Sequence, residues 1–286
     1  MKNFMNLPEE YCKEDSYFKI LPVAFEKNLT AGIGTSNGPK EIIKASKHLE
    51  YYDEQFENEP FLQGIKLLKQ PNVKNLSQEE MHRKIQIPEK GFTTILGGDH
   101  SVTIAIIKHL LKKQDFSVII LDAHSDFRHS WNNSKYNHAC ISKRISEKTN
   151  IVLIGVRSQD IDEAKEMKEK NIPIIKAYEM EKEISEKLLI ILKELKDKVY
   201  ISIDVDVFDF IKNTGTPEPG GISWNQTIKI LEHIFKEKEV IGADITEFAP
   251  KNNFVDEAYS LAKLSYKLMS LKTKYSQRLN TTGAIQ

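Results

Sequence analysis

Residues 116–126 read Phe-Ser-Val-Ile-Ile-Leu-Asp-Ala-His-Ser-Asp, an apolar run followed directly by two aspartates and a histidine. A short apolar run that ends in polar residues is typical of a strand buried on both faces. Asp122, His124 and Asp126 therefore follow the point where this strand gives way to a loop. Because open α/β sheets bind ligands outside the carboxyl ends of their parallel strands, we expect these three side chains to converge in a binding crevice.

Two other predicted strands end in the same kind of side chain. His100 follows the apolar run 92–96, and Asp204 and Asp206 follow the run 199–203. Taken alone, a Gly-Gly-Asp-His-Ser or Asp-x-Asp segment is more often a turn or a helix cap than a ligand set. Metal-binding side chains at three separate strand ends of one α/β pattern are difficult to obtain from turn chemistry. The combination therefore indicates a metal site.

The type of donor indicates which metal the site would bind. Carboxylate oxygens with a minority of imidazoles suit Mn²⁺ or a similar divalent ion, whereas a structural zinc site would normally contain thiolates. Two ions about 3.5–4 Å apart would lower the pKa of a shared water and supply hydroxide near neutral pH. In this arrangement Asp122 and Asp204 bridge both ions, and the other four ligands are divided between them, with His100 and Asp126 on one ion and His124 and Asp206 on the other.

The wider sequence alternates predicted strands and helices with short connections, which is typical of a parallel sheet covered on both faces. The predicted strands are 17–26, 64–69, 92–96, 116–121, 150–155, 172–176, 199–204 and 240–245. The predicted helices from residue 92 onward are 101–113, 138–148, 160–170, 182–196, 223–237 and 254–270. No domain linker interrupts this run.

The amino-terminal third contains two predicted helix starts. Pro39 can begin a helix that Ser36 or Asn37 caps, and Ser77-Gln-Glu-Glu80 is a capping box. A glycine-rich turn such as 32–39 can cradle a phosphate, but the Walker spacing is missing, so we interpret it as a plain turn.

Composition excludes several classes of function. The 41 Lys and Arg residues balance the 41 Asp and Glu residues, so no net charge favours nucleic acid or an anionic membrane. No apolar run approaches the ~20 residues of a membrane span, and the amino terminus lacks the apolar segment of a signal peptide. We therefore expect a cytoplasmic protein. Cys12 and Cys140 are far apart and outside any CxxC motif, so we expect two free thiols.

As a set, these motifs resemble the ureohydrolase family, which contains arginases, agmatinases and their relatives. The matching segments occur in the family's order and cover nearly the whole chain: Gly34-Thr-Ser-Asn-Gly-Pro39, Gly97-Gly-Asp-His-Ser101, Asp122-Ala-His-Ser-Asp126, Ser202-Ile-Asp-Val-Asp206, Gly215-Thr-Pro-Glu-Pro-Gly-Gly221 and Asp244-Ile-Thr-Glu-Phe-Ala-Pro250. The resemblance implies an arginase-like, three-layer α/β/α fold with a mostly parallel sheet of about eight strands. It also implies one catalytic domain over residues 1–286, two Mn²⁺ per chain, and a trimer or hexamer of identical subunits.

The resemblance assigns roles to three side chains. His138 matches a histidine that shuttles protons near the metals, and Glu247 matches the carboxylate that pairs with the substrate guanidinium, so both would contact substrate. Asp126 would accept a proton from the metal-bridging hydroxide and pass it towards the leaving amine. Without the resemblance, His138 would be interpreted as a structural histidine at a helix start and Glu247 as a surface acid. The implied reaction releases urea and an amine from a guanidino compound.

The substrate is the least determined part of this prediction. The loop 127–137 and the segment 34–39 look more like agmatinases than arginases, which favours agmatine as substrate and putrescine as product, a step of polyamine biosynthesis. Arg128, His129 and Lys135 make the loop basic where a cationic tail would lie. Guanidinobutyrate, arginine, formiminoglutamate and aminopropyl-extended agmatine therefore stay open as alternatives.

Two readings from other classes also stay open. A non-catalytic, metal-binding homologue is disfavoured because every proposed ligand is present together with His138 and Glu247. A zinc deacetylase of related architecture would use a single ion, which leaves His100 and Asp206 unexplained. Trp131 could stack on a substrate tail or pack against a neighbouring subunit.

Overall fold

Eight parallel strands form the centre of the protein. The computed structural model describes residues 3–27, 32–180, 184–251 and 255–281. The strands in chain order are β1 Phe18–Val23, β2 Ile65–Leu67, β3 Phe92–Gly97, β4 Ser117–Leu121, β5 Ile151–Val156, β6 Ile174–Lys176, β7 Lys198–Asp204 and β8 Glu239–Thr246. Their order across the sheet is β2-β1-β3-β8-β7-β4-β5-β6, and every pair is parallel. The predicted parallel sheet of about eight strands is confirmed.

Helices cover both faces of the sheet. In the described residues they are α1 Gly38–Ala45, α2 Gln78–Lys84, α3 Ser101–Leu110, α4 Ile141–Ser146, α5 Ile161–Glu169, α6 Ile184–Glu194, α7 Trp224–Glu237 and α8 Val255–Thr281. None of these helices combines the length and apolarity needed to cross a membrane.

Alternating strand residues divide the core into two layers. On β4, Ile119 and Leu121 pack in one hydrophobic cluster with α1, α6, α7 and α8, whereas Val118 and Ile120 pack in the other with α2, α3, α4 and α5. This alternation follows from the two-residue period of a strand, which points successive side chains to opposite faces. The predicted three-layer α/β/α arrangement is thereby confirmed.

Several predicted boundaries differ from the structure. The helix predicted to start at residue 138 begins with a 3-10 turn, and α4 itself starts at Ile141. The helix predicted to end at 270 continues to Thr281, and the strand predicted over 172–176 is only three residues long. The predicted starts at 182 and 254 lie outside the described residues.

The two predicted caps have different outcomes. Ser77 forms the predicted capping box with Glu80. The prediction that Ser36 or Asn37 caps α1 is wrong, because residues 35–37 are already a 3-10 turn and Asn37 has helical torsion angles with no capping hydrogen bond. The Glu26 carboxylate holds this turn instead, since it accepts hydrogen bonds from the backbone N–H of Gly34 at 3.0 Å and of Ser36 at 2.8 Å.

Both cysteines are free, as predicted. Cys140 is the buried last residue of the 3-10 turn that precedes α4, and burial together with the nearby Asp126 carboxylate raises the pKa of its thiol to about 12. A thiol with so high a pKa stays protonated and unreactive at neutral pH.

The strand order explains where a site can form. The four central neighbours are β3, β8, β7 and β4, although they are far apart along the chain. Their carboxyl ends therefore meet at one edge of the sheet. The polar segments 98–100 and 122–126 follow β3 and β4 directly, and the segments 204–206 and 246–247 begin at the last residues of β7 and β8.

Candidate functional site

His100 lies at the centre of a first group of possible metal ligands. Its Nδ1 atom is 3.2 Å from Asp122 Oδ2, 3.2 Å from Asp204 Oδ2 and 3.5 Å from Asp126 Oδ2. The imidazole and the Asp122 carboxylate are fully buried. The structure thus brings together the side chains that the sequence placed after β3, β4 and β7.

His124 belongs to a second group. Its Nδ1 atom is 2.9 Å from Asp206 Oδ2 and 3.7 Å from Asp122 Oδ1. Within each group the ligand atoms lie within 4.8 Å of one another, and Asp122 is shared by the two: His100, Asp122 and Asp204 in one, Asp122, His124 and Asp206 in the other. Asp126 approaches the first group through its contact with His100.

The chemistry of these atoms fits divalent cations. His100 Nδ1 and Asp122 Oδ2 are buried without a hydrogen-bond partner, although both are strongly polar. Burial, with the nearby Asp126 and Asp206 carboxylates, raises the pKa of Asp122 to about 7. Burial alone would lower the pKa of His124, but Asp206 more than offsets this and raises it to about 10. So many carboxylates in one buried place are stabilised by positive charge, which bound cations supply.

A chain of hydrogen bonds behind His100 fixes its orientation. Ser202 Oγ donates to Asp244 Oδ1 at 2.7 Å and lies 3.0 Å from His100 Nε2. Thr103 Oγ1 also donates to Asp244 Oδ1, at 3.2 Å. Because the Ser202 hydroxyl hydrogen is used on Asp244, its oxygen accepts from His100 Nε2–H. The lone pair of neutral His100 is then on Nδ1, facing Asp122, as a metal ligand requires.

The sequence prediction assigned no role to these supporting residues, although Ser202 and Asp244 lie in the matching segments. The signal was present, since Ser202 and Asp244 are polar residues inside otherwise apolar strands. A buried polar residue inside a strand needs a hydrogen-bond partner, but the sequence does not show that β7 and β8 are neighbours.

Two candidate site residues have left-handed backbone torsion angles. Asp126 has φ of 47° and Glu247 has φ of 66°. Asp126 is held by the backbone N–H of Ser142, which donates to its carbonyl at 3.1 Å, and Glu247 by its own N–H, which donates to the Gly98 carbonyl at 2.8 Å. Non-glycine residues in this region cost conformational energy, and they are found preferentially at functional sites.

The Glu247 side chain contacts the backbone of His100, one of the candidate metal ligands. Its Oε1 atom accepts a hydrogen bond from the His100 backbone N–H at 2.7 Å. A Cβ atom at Gly215 would lie only 2.2 Å from Glu247 Oε2, so any larger residue there would displace the Glu247 carboxylate. Burial, and next the neighbouring Asp99 carboxylate, raise the pKa of Glu247 well above its ordinary value. A cation beside it would lower this pKa and favour the ionised carboxylate.

A cavity of about 300 Å³ opens beside the second ligand group. His124, Asp126 and His138 line it. His138 is buried, 7% exposed, and burial lowers the pKa of its imidazole, with the Asp126 carboxylate acting in the opposite direction. Asn137 begins the short turn that contains His138, since its side chain accepts from the Ala139 backbone N–H at 3.0 Å.

One basic residue of the loop 127–137 also lines this cavity. Arg128 lines the cavity, but its guanidinium is 4.5 Å from the Trp131 ring centre and its Nη2 is 3.8 Å from Asp160 Oδ2. His129 and Lys135 are exposed and do not line it. The basic charge of the loop is therefore either paired or directed away.

Acidic residues lie on the same wall. Asp160 and Glu163 line the cavity with Asp126. Glu163 is buried and accepts from the backbone N–H of Phe127 and of Asp160, each at 2.8 Å, whereas Asp160 has a side chain that is 40% exposed.

Arg157 is a second residue that sequence reasoning missed. Its guanidinium donates to the backbone carbonyls of Asp206, Glu218 and Pro219 at 2.6, 2.8 and 2.7 Å. Thr216, between these anchors, donates from Oγ1 to Asp206 Oδ2 at 3.2 Å. Arg157 therefore fixes the loop that closes over the second ligand group.

Comparisons with known proteins agree with this geometry. The Arginase family model matches residues 16–270. The N(1)-aminopropylagmatine ureohydrolase of Synechocystis sp. is 32% identical over 274 residues, which are 89% of this chain and 89% of that protein. The agmatinase of Pyrococcus horikoshii is 29% identical over 282 residues, 94% of this chain and 96% of that protein. The crystal structure of agmatine ureohydrolase of Thermoplasma volcanium has a TM-score of 0.83 at 24% identity, over 97% of this chain and 96% of that one, which confirms the predicted fold.

Proposed function

Since the chain belongs to the arginase family, hydrolases that act on guanidino C–N bonds, we propose that it converts an aminoalkyl guanidine, first of all agmatine, into urea and an amine. The observation that carries the proposal is the pair of ligand groups sharing Asp122, next to a cavity with acidic walls. The family supports the reaction, and the acidic wall supports a substrate with a cationic tail.

The six side chains would hold two divalent ions. His100 and Asp126 would complete the first site and His124 and Asp206 the second, with Asp122 and Asp204 bridging. The oxygen-rich donor set favours Mn²⁺ over a soft metal. When bound, such a pair lowers the pKa of water and supplies hydroxide at neutral pH.

Glu247 would orient the guanidinium. An ionised carboxylate accepts two parallel, charge-assisted hydrogen bonds from that planar cation. The substrate cation would counter the burial that raises the pKa of Glu247, so the carboxylate would ionise as the guanidinium enters. The hydrogen bond from His100 N–H to Oε1 at 2.7 Å keeps the carboxylate in place and so fixes the position of the guanidinium carbon.

Asp126 and His138 would move protons. The Asp126 carboxylate, 3.5 Å from His100, would accept the proton released by the attacking oxygen and pass it to the leaving amine. Burial lowers the pKa of His138, so its imidazole is neutral near pH 7 and able to accept a proton. Lying in the same cavity, His138 would exchange protons between the site and bulk water.

The tail of the substrate would bind on the acidic wall. Asp160 lines the cavity with a partly exposed side chain and already contacts one cation, Arg128, at 3.8 Å. A primary ammonium would make the same kind of contact. N(1)-aminopropylagmatine is a second candidate substrate, because the ureohydrolase of Synechocystis sp. that bears this name is 32% identical to the chain.

The test is urea release by protein reconstituted with Mn²⁺, from agmatine, N(1)-aminopropylagmatine, arginine and guanidinobutyrate. We expect kcat/KM for one of the two cationic-tailed compounds to exceed that for the carboxylate-bearing compounds at least tenfold. Asp122→Ala should abolish release, whereas Asp115→Ala, at an exposed surface position, should not change it. No urea from any compound despite two bound ions would contradict the proposal and favour a non-catalytic homologue.

A second variant tests the tail contact separately. Asp160→Asn removes the charge but keeps the start of α5, because asparagine caps a helix as well as aspartate does. We expect KM for agmatine to rise several-fold with little change in kcat. Asp162→Asn is the matched control, since its side chain is 87% exposed and does not line the cavity. An equal KM in both variants would contradict the proposed tail site.

Assembly stays a prediction. The trimer or hexamer that the family resemblance implies is measured directly by light scattering coupled to gel filtration.

A further inference from the structure

A second, larger cavity of about 510 Å³ lies among α2, α3 and α4, away from the ligand groups. Five of its lining residues are lysine or arginine and two are histidine, and none is an aspartate or a glutamate. Its apolar lining includes Ile104, Ile107 and Ile145. The chain as a whole has no net charge, so this accumulation of positive charge is local.

Helix ends alone do not explain this accumulation. Basic residues near a helix carboxyl terminus interact favourably with the helix dipole, and α2, α3 and α4 all have them. That preference accounts for solvated lysines. It does not account for hydrogen-bond donors that are buried and have no acceptor.

Arg144 is the first such donor. Its side chain is only 9% exposed and lines the cavity. Nη2 contacts Glu147 Oε1 at 3.0 Å, whereas the buried Nε makes no hydrogen bond. Nε–H therefore has no acceptor in the folded chain, and a small shift of the side chain would bring it to an acceptor in the cavity.

His82 is the second. Its Nδ1 lies 3.3 Å from Lys108 Nζ, and because an ammonium can only donate, Nδ1 is the acceptor. Neutral His82 then carries its hydrogen on Nε2, which is buried without a partner. Burial, followed by the charges of Lys108 and Arg83, lowers the pKa of His82 to about 4. The surroundings of this ring therefore disfavour further positive charge.

We propose that this cavity is a binding site for a small organic phosphate, whose phosphate accepts hydrogen bonds from Arg144 and His82 and whose apolar part packs against Ile104 and Ile107. Guanidinium groups bind phosphate through a rigid set of parallel donors. An excess of positive charge without a carboxylate on the wall favours a dianion over a monocarboxylate. The volume is in the range of small-molecule sites.

The cavity wall also contacts the loop that leads to the candidate active site. The His82 ring meets the Tyr136 ring edge-on at 5.0 Å, and Lys108 Nζ is 4.0 Å from the centre of the same ring. Tyr136 precedes His138 by two residues. Occupancy of the cavity therefore acts on turnover through this contact, a consequence that rests on the proposed function, whereas the binding itself does not.

Calorimetry with phenyl phosphate on the Mn²⁺-loaded protein tests the binding. We expect saturable binding that weakens at least tenfold in Arg144→Gln and in His82→Gln, and less than twofold in Lys44→Gln, a matched loss of charge at an exposed position on α1. Inorganic phosphate, which lacks the apolar part, should bind more weakly than phenyl phosphate. Unfolding temperatures of the variants show that they are folded.

A local readout distinguishes this cavity from the metal centre, where phosphate could also bind. In protein with labelled histidines, phenyl phosphate should raise the pKa of the His82 imidazole, followed by its nuclear magnetic resonance shift. Absence of saturable binding, or binding that is equal in wild type and Arg144→Gln, would overturn the proposal even if urea release is normal. If no urea is released but phenyl phosphate still raises the pKa of His82, only the proposed function is contradicted.

Discussion

Replacing Ser202 by alanine removes the hydroxyl that joins His100 to Asp244. His100 Nε2–H then loses the acceptor 3.0 Å away, and Asp244 loses the 2.7 Å hydrogen bond that Ser202 donates. The imidazole is fully buried, so water cannot replace the lost acceptor without rearrangement. Removing such a supporting contact costs about 10–100-fold in metal affinity, which corresponds to about 1.4–2.8 kcal/mol.

The assay is titration of metal-free protein with Mn²⁺ by calorimetry. We expect one ion of the pair to bind Ser202→Ala at least tenfold more weakly than wild type, with the other ion less affected because His124 and Asp206 keep their contacts. Ser265→Ala is the matched control, since it also removes a buried hydroxyl, one that donates to the Leu261 carbonyl inside α8. Equal Mn²⁺ affinity in wild type and Ser202→Ala would refute the view that this hydrogen bond orients the ligand.

Three further perturbations test other parts of the structure. In the wild type, Lys267 Nζ lies 2.6 Å from the buried Asp53 carboxylate. Lys267→Met leaves this carboxylate without its cation and should lower the free energy of unfolding by about 3–5 kcal/mol. A loss below about 1 kcal/mol in urea titrations would contradict a stabilising role for the pair. Removing metal by chelation should lower the unfolding temperature, and Mn²⁺ at about 100 times its Kd should restore about 2.7 kcal/mol of the free energy of unfolding. An unfolding temperature that changes in neither treatment would argue against a metal centre. Because folding lowers the pKa of His82 to about 4, the unfolded state binds more protons between pH 6.5 and 4, so stability is full above pH 6.5 and falls as the pH is lowered through this window. The His82→Gln variant should show a flatter loss of stability over that range than wild type, whereas the exposed His48→Gln should follow wild type.

The sequence predicts the side chains at the strand ends well, because a change from an apolar run to acidic residues is a local signal. Asp122, Asp204 and His100 each follow an apolar run in the sequence, and the structure brings their ligand atoms within 4.8 Å of one another. The assignment of Asp204 as a second bridge stays a prediction. Glu247 and His138 needed the family resemblance, since one acid or histidine outside a cluster has no distinctive local pattern.

The parts that sequence reasoning missed depend on which strands are neighbours. The contact between Ser202 and Asp244 exists because β8 inserts between β3 and β7, and the order of strands in a sheet is decided by packing of the whole chain. The pairing of Arg128 with Asp160 in the cavity was missed for the same reason, because β5 separates the two residues along the chain. The exact ends of helices depend on the final turns, where few hydrogen bonds decide between helix and 3-10 geometry.

The way in which Arg157 holds the loop at 206–219 bears on how the protein could acquire a new substrate. Its contacts to Asp206, Glu218 and Pro219 all end on main-chain carbonyls, a group that every amino acid provides. Mutations in this loop can therefore replace side chains that line the cavity, such as Thr216, while the path of the backbone is preserved. A lysine at 157 could not provide the same support, because one ammonium cannot span several separated acceptors. Variation in the loop and invariance of its arginine anchor are thus expected together in descendants of this chain.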